Sequence, residues 1–222
     1  VNGGQTTAAI FAESHNFSTD LASISLQMKL AVVDPVKSST MVQNISRYAN
    51  SQNKVNNADF SSNHRFHQWF ENLSRNTWAP ASDGTFQDTH WFYERARGQF
   101  RDGTAYKSTE DKGIFERTNP KSQLITKTDL TKFVNVWRGK PDLVSKGAQY
   151  NFASFAEDIK TEWEEDRSRF SLAFYQECIA KAIIFKEVER LVPKQDWYPG
   201  GYRANIVAYA IAKLAHVLEQ AD

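Results

Sequence analysis

Apolar positions follow two different periods along this chain. Ile24, Leu26, Met28, Leu30 and Val32 alternate with the polar Ser23, Ser25, Gln27 and Lys29. A period of two predicts a strand over 24–32 with one buried face. Asp34-Pro35 ends it, since proline removes a ladder donor. Helical spacing appears on both sides. A helix over 6–17 follows the Gly3-Gly4 turn, and a second over 40–49 carries Met41, Val42, Ile45 and Tyr48 on one stripe. The second stops in the amide-rich run 50–57, which competes with helical hydrogen bonding. Phe66, Trp69, Phe70 and Leu73 fit i, i+3, i+4, i+7 and predict a core helix over 63–75. It is capped by Ser61-Ser62, with His64, His67 and Gln68 on other faces.

A loop holding Pro80, Asp83 and Gly84 leads to the aromatic run Trp91-Phe92-Tyr93, a short strand that turns basic at Glu94-Arg95-Ala96-Arg97. The polar residues 101–119 predict a long loop or flap. Leu124-Ile125 reads as a short strand, and from 128 onward nearly every stretch is helical. Leu130, Phe133, Val134 and Trp137 form one stripe, while Phe152, Phe155, Ala156, Ile159 and Trp163 form another, opened by Ser154 and Glu157 at capping-box spacing. Residues 170–191 are apolar on several faces, as in a central buried helix, and 205–218 are amphipathic after the glycine turn Pro199-Gly200-Gly201. The expected fold class is therefore mixed α+β. Residues 1–120 supply a small sheet with helices, and 121–222 form a helical part packed against them.

Composition narrows the choice of function only a little. The 222 residues, 41% hydrophobic, can bury a core in one large domain or two small ones. With 27 basic and 26 acidic side chains the formal charge is +1, so any basic site must be local. The single Cys178 lies in an apolar helical pattern, has no intrachain disulfide partner, and reads as a small buried hydrophobe. No apolar run reaches the roughly 20 residues of a membrane span, and the opening residues do not resemble a signal peptide. A soluble, cytoplasmic protein with no membrane partner is expected. The chain starts without Met on a glycine turn that ordinarily follows a strand, which predicts an upstream strand in a longer parent polypeptide.

Several chemistries can be weighed on spacing. Gly3-Gly4 permits close backbone approach, and a helix opening beyond it points free N–H groups back at the turn, a recipe for holding an anion or polar ligand. His64 and His67 are three apart but lack a third ligand at matching spacing, so zinc is disfavoured. No glycine loop ends in Gly-Lys-Ser/Thr, and no nucleophile elbow is present. A Mg²⁺-dependent nuclease or NTP hydrolase would use Glu94, with Asp83 or Asp88 as a second carboxylate. Glu-x-Lys is not satisfied there, since Glu94 is accompanied by Arg95 and Arg97, and arginine cannot take a proton. The stronger pattern is a polar basic cleft formed by Arg95, Arg97, Lys121, Lys127 and Arg203, since guanidinium forks suit phosphate. Ordinary surface charge, with Glu94 paired to an arginine, explains each residue singly.

Five ordered motifs carry a family resemblance. They are Asn-Gly-Gly-Gln-Thr-Thr at 2–7, Tyr-Ala-Asn-Ser-Gln-Asn-Lys-Val at 48–55, Trp-Phe-Tyr-Glu-Arg-Ala-Arg-Gly-Gln-Phe at 91–100, Pro-Lys-Ser-Gln-Leu-Ile-Thr-Lys-Thr-Asp-Leu at 120–130 and Ser-Lys-Gly-Ala-Gln-Tyr-Asn-Phe at 145–152. Together with 197–205 they resemble the AIPR family, the abortive-infection phage-resistance proteins of bacteria, often encoded beside restriction–modification genes. The resemblance implies a role in phage defence and a longer parent protein, and it assigns no chemistry to single positions. A more distant similarity joins Asn2-Gly3-Gly4-Gln5-Thr6 and Ile45 to Asn50 to partition-protein-B/sulfiredoxin-like domains, although the arginine of their Asp-Gly-Gln-(Gln/His)-Arg motif is replaced here by Thr6 or Thr7. The resulting expectation is an anti-phage module that binds a nucleotide or nucleic acid through Asn2, Gly3, Gly4, Gln5, Thr6, Asn50, Gln52, Arg95, Arg97, Lys121, Lys127 and Arg203. The alternatives are catalysis through Glu94 with Mg²⁺, or a sensing module that docks a phage or host protein.

Overall fold

A computed structural model describes residues 4–15, 20–28, 32, 34, 38, 41, 64–80, 84, 88–105 and 107–220. The chain forms two compact units, Val1–Asn56 and Asn57–Asp222. In the first, helix α1 spans Gly4–Ser14, opening directly at the glycine turn. Asp20 then caps a 3₁₀ turn at Leu21–Ser23 by accepting from the Ala22 N–H at 3.0 Å.

The strand expected over 24–32 does not form among the described residues. Residues 24–28 and 32 have no regular structure, and Met28 and Val32 are 80% and 91% exposed. Alternation creates a strand only where a partner accepts its ladder hydrogen bonds, and no described strand pairs here. Of the helix expected over 40–49, Met41 is helical. Residues 40 and 42–49, the amide run 50–57 and Ser61-Ser62 lie outside the described residues.

The second unit opens with α2, Arg65–Asn76. Its apolar stripe is the predicted one, with Phe66 and Phe70 fully buried and Trp69 and Leu73 packed against the core. The cap differs: His64 Nδ1 accepts from the Phe66 N–H at 3.3 Å. His67, expected on a face other than that stripe, is itself buried. Strands β1, Trp78–Pro80, and β2, Asp88–His90, pair antiparallel. Strand β3, Tyr93–Glu94, pairs in parallel with β4, Ile125–Thr126.

A parallel pair needs a crossover, and residues 95–124 supply it. The loop or flap expected over 101–119 is instead largely helical, with α3 at Gln99–Asp102 and α4 at Thr109–Thr118. Ser108 caps α4, accepting from Asp111 N–H at 3.1 Å, and Phe115 packs with Phe92 and Phe100 in a small aromatic cluster. Three aromatics spaced 92, 100 and 115 carry no local period, which hides this satellite core in the sequence.

Helix α5, Lys127–Trp137, starts from a capping box in which Thr126 accepts from the Asp129 N–H and Asp129 accepts from the Thr126 N–H. It is the central helix, packed on α7 (Ala148–Glu165), α8 (Leu172–Leu191) and α9 (Arg203–Glu219), and α6 (Pro141–Ser145) packs on α9. Helix α7 starts at Gly147, whose φ of 105° is readily reached by glycine, and not at the expected Ser154–Glu157 box. Between α5 and α7, Asn135 Nδ2 donates to Asn151 Oδ1 at 2.7 Å and Asn151 Nδ2 to Thr131 Oγ1 at 3.0 Å. The core joins Phe66 and Tyr93 to Phe155, Tyr175 and Ile211, so position 120 falls inside the second unit. Its architecture is mixed α+β, with small two-stranded sheets followed by packed helices.

Candidate functional site

The parallel register of β3 and β4 sets Glu94 opposite Thr126. The Glu94-Arg95-Ala96-Arg97 turn therefore leaves one strand beside the start of α5 at Lys127, which leaves the other. This local pairing joins two of the sequence motifs at one edge.

Each side chain in the turn has an assigned contact or an outward position. Glu94 Oε1 accepts from the Gly98 N–H and closes the turn, with Gly98 left-handed at φ 97°. Arg95 Nε donates to Glu71 Oε2 of α2 at 2.7 Å, and Gln99 Nε2 donates to Glu71 Oε1 at 2.7 Å. Gln99 Oε1 in turn accepts from the Ala96 N–H at 2.9 Å. Glu94 thus meets a backbone N–H rather than the expected arginine, and the arginine meets Glu71. Arg97 points outward and is exposed.

Beneath this turn lies a buried His–Tyr pair. His67 Nδ1 and the Tyr93 hydroxyl share a hydrogen bond of 2.7 Å, and the imidazole lies nearly parallel to the Tyr93 and Phe152 rings, 6.1 and 5.8 Å between centres. Burial pushes the His67 pKa down to about 3, assisted by the charges of His64, Lys127 and Arg95. Burial likewise raises the Tyr93 phenol well above its ordinary value. A neutral imidazole is thus locked under two cations. Arg75 completes the floor, donating to the Tyr93 carbonyl at 3.0 Å while its guanidinium lies 3.4 Å from the centre of the Phe92 ring.

Lys127 is half-buried, with Nζ 5.9 Å from the centre of the Phe152 ring. Two residues on, Asp129 is pushed upward by burial, but Lys132 and the Thr126 hydrogen bonds outweigh this and hold the carboxyl below its usual range. Lys121 is exposed on a 3₁₀ turn before β4. Arg203 is carried by α9 and reaches Glu189 of α8 at 4.0 Å, so it is not part of the β3–β4 edge pairing. Asn2, Gly3, Asn50 and Gln52 lie outside the described residues. Gly4 and Gln5 form the first residues of α1 in the other unit, where Thr6 is exposed.

Sequence reasoning missed Glu71, Gln99 and His67, which fix the turn, and also Lys186. Lys186 Nζ donates to the carbonyls of Ser122 and Leu124 at 2.6 and 2.8 Å and so holds the approach to β4. A lysine directly after the apolar run Ala182 to Phe185 was the available signal. Among the described residues no group of three His, Cys, Asp or Glu side chains could hold a metal ion. Among the same residues no helix is long and apolar enough to cross a membrane.

The AIPR protein family model matches residues 1–222, the whole chain, and the protein belongs to that family. Membership supports an abortive-infection role against phage. No curated protein and no solved structure matches the chain.

Proposed function

We propose that this AIPR protein acts in phage defence by binding a nucleotide or nucleic acid along the basic edge where β3 and β4 end. The observation that carries the reading is the Glu94↔Thr126 register, since the turn holding Arg95 and Arg97 leaves one strand where Lys127 follows the other. Arg95 is held rigid by Glu71, Arg97 is free to turn outward, and Lys121 adds a further exposed cation. Phosphate oxygens suit such a set, because an oriented guanidinium gives charge-assisted hydrogen bonds with little ordering cost. The test is a titration of labelled single- and double-stranded oligonucleotides and of nucleoside triphosphates at low salt. Binding that weakens in an Arg97→Ala, Lys121→Ala double variant supports the reading, and undetectable affinity for every probe rejects it.

A further inference from the structure

We propose that a second site, a groove between α2 and the end of α7, takes a nucleoside monophosphate unit, either free or within a single strand. This goes beyond the β3–β4 reading and uses none of its residues. The groove encloses about 560 Å³, within the usual range for small-molecule sites. Its wall on α2 is one helical stripe, Arg65, Trp69, Asn72 and Leu73, and its other wall is Trp163 and Arg167. Glu71, which holds Arg95, is not among the lining residues.

Three observations point to a planar anion. Trp69 and Trp163 lie 6.2 Å apart between ring centres, with Trp69 only half-buried, so an aromatic edge and Leu73 are left for a flat apolar surface. Arg65 and Arg167 are both exposed at the groove, and neither has a carboxylate within ion-pair distance among the described residues. The nearest acid in sequence, Asp166, is turned to the Ser168 N–H and hydroxyl at 2.9 and 2.6 Å. Arg167 already lies over the Trp163 ring at 5.1 Å, which holds its exposed guanidinium near the wall. Asn72 Oδ1 accepts from Asn76 Nδ2 at 2.6 Å, leaving its own Nδ2 hydrogens to donate into the groove. A base stacks on tryptophan regardless of its sequence, while two guanidiniums fit the phosphate it carries.

The experiment titrates the protein with AMP, GMP, CMP and UMP, with a short oligoadenylate, and with ribose 5-phosphate, following heat and tryptophan fluorescence. The expected result is binding of at least one monophosphate or of the oligoadenylate, weakened tenfold or more in Arg65→Ala, Arg167→Ala and unchanged in Arg97→Ala. Both arginines are exposed, so the double variant keeps the fold, which circular dichroism checks. Preference for the monophosphate or for the oligoadenylate names the source. The proposal is overturned if neither binds, if ribose 5-phosphate binds as well, or if the double variant binds like the native protein. Loss of binding in Arg97→Ala alone would return the ligand to the β3–β4 edge and equally overturn it.

Discussion

Glu71 and Arg95 form an ion pair at 2.7 Å across 24 positions of the chain, joining α2 to the turn after β3. Both side chains are only about one-fifth exposed, and the second Glu71 oxygen is taken by Gln99. Removing the carboxylate takes one charged acceptor from a partly buried guanidinium and from the Gln99 amide. Glu71→Ala is therefore expected to cost about 1–3 kcal/mol in chemical denaturation, whereas Arg97→Ala, at an exposed position, should change stability by less than about 0.5 kcal/mol. Equal effects of the two would show that Glu71 does not organise the turn.

His67 gives the fold a pH dependence of known sign. Its folded pKa is about 3 and its ordinary value 6.5, so below pH 6.5 the unfolded chain binds the proton that the folded one refuses. Stability from this group is full above pH 6.5 and is lost as the pH falls toward 3. At pH 5 the loss is about 2 kcal/mol, from 1.4 kcal/mol per pH unit. The native-minus-variant stability difference for His67→Gln should shrink between pH 7 and pH 5, as measured by urea unfolding at both. A pH-independent difference contradicts a neutral buried imidazole.

Gln123 is fully buried, yet among the described residues neither its Oε1 nor its Nε2 has a hydrogen-bond partner. A buried amide without partners bears its full desolvation cost, so an apolar residue of similar shape should be tolerated. Gln123→Met is expected to be neutral or to stabilise by about 1 kcal/mol. Destabilisation by more than that would mean the amide has a structural partner after all.

Cys178 is 1% exposed, and burial pushes its thiol up to about 12. Native protein should resist iodoacetamide at pH 8 while the urea-unfolded chain reacts fully, with mass spectrometry as the readout. Rapid alkylation of the native state would contradict the packing of α8.

How much of this was readable beforehand depended on whether a signal was local. The Phe66, Trp69, Phe70 and Leu73 stripe and the helices from 127 onward follow from helical spacing, because each buries its own face. Cys178 as a buried hydrophobe follows the same logic. Among the described residues of 24–32 no strand forms, because pairing is not a local property, and the helices inside 101–119 were hidden because their apolar anchors lie on distant segments. Capping was misread in the same way: Ser154 and Glu157 have box spacing, but Gly147 starts the helix about two turns earlier. At the candidate site the cations were legible as residue types. Their arrangement was not, since it depends on Glu71, 24 positions from Arg95, and on a two-residue parallel pairing.

The central claim is that the β3–β4 edge neutralises phosphate. Its most direct test is the affinity for a short labelled DNA duplex as a function of salt, in the native protein and in Arg97→Ala. A phosphate contact predicts that the variant binds more weakly at low salt and that its log–log salt slope is shallower by about one. An unchanged affinity and slope in Arg97→Ala, or no binding by the native protein at low salt, would contradict it.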